Sequence, residues 1–307
     1  MKLLVITLSR KRNKHTLNHI FSPLTKFLVH HNPYQTLGIG VAFSPNLQAN
    51  LSEATRLAKM LETRLILIHV GEQNHDKEKQ IKELLPADSN DYQLVFKPGN
   101  PVESIVAAVD EYDIDLLILG AVKEEKFVRY YLGSIARKIT RKASCSVLLL
   151  TNPSVERFAC AHIVVNGLED EHTAQTIQTA FHVAHKLKTP RITIVEEINK
   201  ERVNIKIDDD QSLQRANELK DKLRREEDER VQKILETIPQ ANREGIKVAT
   251  QPIFGTRGYS IGHYAQIKRA DLLVMNAPKR SKAIDRMFPH DMEYILNELP
   301  TDVLIVR

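Results

Sequence analysis

Two stretches of this chain echo each other, and that echo limits the fold more than any other feature. The first runs from Asp113 to Leu150. Within it, Asp115–Leu119 is a short apolar run, the mark of a strand buried on both faces. Gly120 ends the run and a loop follows. Gly133-Ser134 then opens a helix whose apolar residues Ile135 and Ile139 lie one turn apart, and Ser146–Leu150 is another buried strand. Later, Asp271-Leu272-Leu273-Val274-Met275 repeats the pattern of Asp115-Leu116-Leu117-Ile118-Leu119, and Asp302–Val306 repeats Ser146–Leu150. Strands that are apolar throughout need cover on both faces, which helices on either side of a parallel sheet provide.

Around these anchors the chain reads as alternating strands and helices. Residues 1–34 fit no repeat and form an extension. In it Leu3–Leu8 reads as a short strand, and Ser22-Pro23 as a helix start with Leu24, Phe27 and Leu28 on one side. The extension either packs on the first domain or a partner, or is a partly disordered arm. The first domain spans 35–151. Leu37–Phe43 is its first strand, and Leu47 to Glu62 a helix with Leu51, Ala54, Leu57, Ala58 and Leu61 on one face. Arg64–Val70 is a strand, Asn74–Leu85 a polar helix, Tyr92–Lys97 a strand, and Pro101 leads another helix. The linker around Pro153 separates it from a second domain, 155–307. There His162–Asn166, Arg191–Val195 and Lys247–Pro252 are strands, and Thr173–Leu187 and Gly262–Lys268 helices. The expected fold is α/β: two tandem, doubly wound, mostly parallel five-stranded sheets of Rossmann-like type.

The second domain carries an insertion. Gln211 to about Ile238 is densely charged, with Leu213, Ala216, Leu219, Leu223, Val231, Ile234 and Leu235 at helical spacing. That predicts a long amphipathic helix of roughly 40 Å, helped by pairs four apart such as Glu218 with Lys222. One stripe packs on the sheet or docks a partner helix.

Charge and motifs exclude several classes. With 44 basic and 39 acidic residues the net charge is +5, too even for a nucleic-acid footprint. The basic clusters Arg10–Lys14, Arg137–Lys142 and Lys279–Lys282 lack interleaved aromatics for base stacking. No apolar run is long enough to span a membrane, and the opening residues lack the order of a secretory signal. Cys145 and Cys160 read as small buried hydrophobes in a reducing cytosol. There is no Gly-x-Ser-x-Gly elbow, phosphate-binding Gly-x4-Gly-Lys-Ser/Thr loop, Cys-x2-Cys or His-Glu-x2-His. His182 and His185 share a helix, and His30-His31 are adjacent. Neither pair has a carboxylate or cysteine at ligand spacing, so no metal site is expected, and no catalytic set either.

The loop between Gly120 and the following helix lies where an open α/β sheet binds phosphate, because the first amides of a helix have no internal partner. It resembles the nucleotide loop of the universal stress protein family, Gly-x2-Gly-x9-Gly-Ser/Thr, at Gly120, Lys123, Gly133 and Ser134. Ser144-Cys145-Ser146-Val147-Leu148 resembles the family's entry to its last strand. The resemblance covers about 35–151 and 155–307. It implies an ATP site in which an Asp ends the first strand, but here Ala42 and Asn166 hold those positions. The second copy reads Asn276, Lys279 and Pro289-His290 across its loop, and proline has no amide hydrogen for a phosphate. Cofactor-binding candidates are therefore Gly120, Lys123, Gly133 and Ser134, with ATP conceivable in the first copy only. Lys123 either attracts an anion or closes the site with its Cβ. The family also pairs domains through their last strands, which places Ser146–Leu150 and Asp302–Val306 at a seam, an internal pseudo-dimer.

The resemblance implies a cytoplasmic regulatory protein of the stress response that binds protein partners and is not an enzyme. No nucleic acid and no membrane insertion are expected, and a homodimer is open. The alternative is an ATP-binding, weakly hydrolysing protein using the first copy. A third reading is a detached regulatory part of a transport system docking through residues 1–34.

Overall fold

The computed structural model describes residues 32–87, 89, 91–124, 129–156, 158–278 and 290–307. The expectations for Leu3–Leu8, Arg10–Lys14, Ser22-Pro23, His30-His31, Lys279–Lys282 and Pro289 lie outside these residues.

The first copy runs β1 (Thr36–Val41), α1 (Leu47–Leu61), β2 (Arg64–Val70), α2 (His75–Leu84), β3 (Tyr92–Lys97), α3 (Pro101–Glu111) and β4 (Leu116–Gly120). Two short strands follow, β5 (Val122–Glu124) and β6 (Arg129–Tyr131), then α4 (Ser134–Lys142) and β7 (Ser146–Leu150). The second copy runs β8 (Ile163–Asn166), α5 (Thr173–Leu187), β9 (Arg191–Asn199), α6 (Asp210–Glu236), α7 (Gln240–Arg243), β10 (Lys247–Gly255), α8 (Tyr259–Ile267), β11 (Leu272–Asn276), α9 (His290–Asn297) and β12 (Asp302–Val306).

Local chemistry sets the ends of these elements. Asn74 and Asn100 cap α2 and α3 by accepting the amides of Lys77 and Val102. Helices α1 and α5, at matching places in the two copies, both stop at a left-handed residue, Glu62 (φ 56°) and Lys188 (φ 58°). Asp115 and Asp271 also act alike. One oxygen of each accepts two amides of the segment entering the neighbouring strand: Gln35 and Thr36 in the first copy, Ala161 and His162 in the second.

The strands form one sheet in the order β10-β9-β8-β11-β12-β7-β4-β1-β2-β3, all neighbours parallel except β12 and β7. Each copy therefore has five strands in doubly wound order, as expected. The seam is also where the resemblance placed it, with Val303 opposite Leu149 and Ile305 opposite Val147. Pairing the two last strands removes what would be two apolar edges.

Strand alternation sorts the core onto two faces. Leu37, Ile39, Leu116, Ile118, Leu148, Leu304 and Ile192 meet α1, α5 and the buried side of α6. Ile66, Leu117, Val147, Leu149, Leu273 and Ile305 meet α3, α4, α8 and α9.

Some expectations need correction. β1 ends at Val41, and Phe43 is exposed. β9 continues past Val195 to Asn199 and β10 past Pro252 to Gly255, because the two pair in parallel over their whole length. α8 begins at Tyr259 rather than Gly262. Ile135 faces solvent although Ile139, one turn on, is buried. On α6, Leu213 is exposed while the charged Glu227 is buried, because Arg202 and Arg230 supply its partners. Glu218 takes the amide of Gln214, and Lys222 pairs forward with Glu226.

Candidate functional site

In an open α/β sheet the crevice lies at the C-terminal ends of the strands. In the first copy those ends carry Ala42 and Phe43 after β1, His69 on β2 and Gly120 on β4. The sequence between Gly120 and Gly133 reads as a loop. Instead, Val122, Lys123 and Glu124 pair with Tyr131, Tyr130 and Arg129 in an antiparallel hairpin. Gly133 then caps α4 in an extended conformation, with Ser134 as its first residue.

The hairpin is fastened to the second copy. Leu132 donates its amide to the Leu296 carbonyl at 3.0 Å, and Leu299 donates to the Tyr130 carbonyl at 2.8 Å. Arg137 on α4 bonds Glu293 on α9, and also reaches the Leu296 carbonyl and Asn297.

The four expected residues thus border one hairpin. Gly120 and Ser134 are exposed, and Gly133 lies so close to Val122 that an added Cβ would stand 3.3 Å from its methyl. Lys123 lies in the β-ladder, exposed, with its ammonium 6.0 Å from the centre of the Tyr130 ring. Ala42 is exposed and offers no acceptor. The amides of Ser134, Ile135 and Ala136 have no protein partner among the described residues, which leaves an anion-compatible helix start.

Two features of this crevice escaped the sequence. Asn50, in the first turn of α1, approaches Gly120 with a buried side-chain oxygen that has no partner among the described residues. Its place in the first turn of the helix after β1 was the available signal. His69, a polar residue in the apolar run 65–70 of β2, is buried between Phe43 and Phe96. Its Nδ1 meets the Val41 carbonyl at 3.0 Å and its Nε2 meets the Lys77 ammonium at 3.3 Å. A lysine ammonium only donates, so Nε2 accepts and the proton sits on Nδ1.

In the matching crevice of the second copy, side chains are bonded to neighbouring protein groups. Asn166 is buried, and its oxygen is used on the Leu168 amide. Arg230 on α6 donates to the Gly167 carbonyl and to Glu227. Asn276 donates to Thr173, while its buried oxygen has no partner among the described residues. Beside them, Glu196 and Glu197 follow each other in the second half of β9, with side chains on opposite faces. Glu197 accepts the amides of Gly258 and Ile261 at the start of α8, yet burial pushes its carboxyl up to about 7. Glu196 is wholly buried, and neither of its oxygens has a hydrogen-bond partner among the described residues. Burial, followed by the charge of Asp228, pushes it up to about 7 as well, against the pull of Arg230. Two glutamates closing an apolar run were the signal here.

Burial lowers His182 to about 4, with Lys186 and His185 adding to the shift. His185 one turn away is exposed. Among the described residues no group of three His, Cys, Asp or Glu side chains is placed to hold a metal ion. No helix among them is long and apolar enough to cross a membrane.

Comparison with known proteins agrees with this architecture. The model of the universal stress protein family matches residues 71–151 and again 162–307. A universal stress protein of Methanothermobacter thermautotrophicus (strain Delta H) is 29% identical over 59 residues, which are 19% of this chain. The chain spans 40% of that relative's length. Among solved structures, a universal stress protein from Archaeoglobus fulgidus DSM 4304 superposes with a TM-score of 0.62 at 15% identity, covering 89% of this chain and 98% of the other. A protein of unknown function from Pseudomonas aeruginosa PAO1 superposes with a TM-score of 0.62 at 15% identity, covering 90% and 93%. With both copies matched over most of their length, this chain belongs to the universal stress protein family.

Proposed function

We propose that this chain is a cytoplasmic regulatory protein of the stress response that acts by binding protein partners, not by catalysis, and that neither copy is a family-style ATP site. The observation that carries this reading is the fate of the first loop. Between Gly120 and Gly133, Val122–Glu124 pairs with Arg129–Tyr131, and Tyr130 and Leu132 bond across to Leu299 and Leu296 of the second copy, and Ala42 stands where a nucleotide-binding acceptor belongs. In the second copy, Arg230 and Asn166 use the groups that a ligand would need. The largely polar outer side of α6 is the surface offered to partners.

A second reading has its own support. The unbonded amides of Ser134 to Ala136, beside Gly120, suit the phosphates of ATP in the first copy. Isothermal titration with ATP, ADP and AMP, after extraction of any co-purified nucleotide, separates the two. The first reading expects no saturable binding at millimolar nucleotide. Binding at one site per chain, lost in Gly133→Pro, would replace it with the second.

A further inference from the structure

A cavity of about 310 Å³ lies over the seam. None of Gly120, Lys123, Gly133 or Ser134 lines it. Its floor is the seam strands, through Leu148 and Leu304, and its walls are α1 and α5, through Leu57, Leu61 and Leu187. The linker closes one side, where Phe158 borders the cavity with 71% of its surface still in solvent. At roughly 30 Å³ per water-sized group, the space suits about ten non-hydrogen atoms.

The charged lining is mostly acidic. Glu53, Asp271 and Asp302 border the space and, among the described residues, Arg56 is the one cation beside them. That guanidinium is already committed: it donates to the carbonyls of Val155 and Ser154 and pairs with Glu53 at 2.6 Å. The other two carboxylates are half used. Asp302 accepts the amide and hydroxyl of Thr151 on Oδ1, and Asp271 accepts the amides of Ala161 and His162 on Oδ2. Asp302 Oδ2 and Asp271 Oδ1 have no partner among the described residues. Burial, with the charges of Glu53 and Asp271, pushes the Asp302 carboxyl up to about 6 against the Thr151 hydrogen bonds. A carboxylate headgroup entering here would meet two negative neighbours and a guanidinium already taken, with the neutral side-chain amide of Asn152 as a donor. An ammonium would find two open acceptors.

We infer that the seam cavity binds a small amphipathic cation, a primary alkylammonium whose chain lies among the leucines and whose headgroup bonds Asp271 and Asp302. Both copies of the repeat contribute walls, so the site needs the tandem chain. This inference does not depend on the fate of the nucleotide loop.

The test is calorimetric titration of the full chain with n-octylammonium, n-octanoate and n-octanol. Octylammonium is expected to bind at one site per chain, with octanoate at least tenfold weaker. Asp271→Asn keeps an oxygen for the two amides and should weaken octylammonium about tenfold or more, in line with one charge-assisted contact. Leu187→Trp fills the space and should abolish binding while leaving the thermal midpoint at or above that of the parent. Octanoate or octanol binding as well as octylammonium would overturn the charge argument. Unchanged binding in Leu187→Trp, or no octylammonium binding at millimolar concentration, would overturn the site itself.

Discussion

Arg137 of the first copy and Glu293 of the second form an ion pair that is largely shielded on both sides, with side-chain exposures of 19% and 27%. The same guanidinium bonds the carbonyls of Leu132 and Leu296. One side chain therefore fastens the hairpin, the start of α4 and α9 together.

Removing that guanidinium strands Glu293 in a shielded position. Arg137→Met should cost about 1–3 kcal/mol in urea unfolding. The amides of Leu132 and Leu299, which bond across the copies, should exchange with solvent faster than in the parent. Unchanged protection of those two amides would show that the backbone ladder holds the hairpin without Arg137.

Gly258 is held for a different reason. It caps α8 at φ 77°, and an added Cβ would stand 2.0 Å from the Asp291 carbonyl oxygen. Both the left-handed backbone and the contact penalise any side chain. Gly258→Ala should lower stability by more than about 2 kcal/mol, read as a drop in the urea midpoint. A midpoint equal to that of the parent would mean that α9 gives way freely.

The parts of the fold visible in the sequence are those set by local pattern. The apolar runs at 115–119, 146–150, 271–275 and 302–306 announced buried strands, and their order announced the winding. The seam came from resemblance, supported by the apolar character of both last strands. What stayed hidden was set by contacts far apart in the chain. The polar segment after Gly120 reads as a loop because its ladder partners are its own other arm and the second copy's Leu299. Glu196 and Glu197 read as the end of a strand because a glutamate's burial depends on what α6 and α8 place against it. Of the candidate residues, Gly120, Gly133 and Ser134 do border one place, but the motif gives no hint that Asn50 approaches Gly120. The seam cavity was beyond reach, since its lining comes from both copies and the linker.

Helix α6 depends on its first turn. Asp209 accepts the Ser212 amide at 2.7 Å while the Ser212 hydroxyl takes the Asp209 amide at 3.0 Å, a reciprocal cap. Asp209→Ala should cost about 1 kcal/mol and Asp209→Asn much less, measured by urea unfolding followed by circular dichroism. Equal losses in the two variants would point to the charge of Asp209 rather than its hydrogen bond.

Glu196 sets a pH dependence whose sign can be worked out. Its carboxyl is pushed from 4.5 in the open chain up to about 7 in the fold. The folded state therefore holds this proton more tightly than the unfolded state. The resulting stability is fully present below about pH 4.5 and is lost as pH rises through about 7. A change of this size corresponds to about 3 kcal/mol at most. Glu196→Gln keeps the shape and removes the titration, and its amide hydrogens would meet the neighbouring Asp228 and Glu227. The variant should match the parent near pH 4.5 and exceed it by about 1–3 kcal/mol at pH 8. Glu197 titrates over the same range, so the informative quantity is the difference between variant and parent at each pH. A difference that stays constant from acid to alkaline pH would show that Glu196 is ionised alike in the folded and unfolded chain.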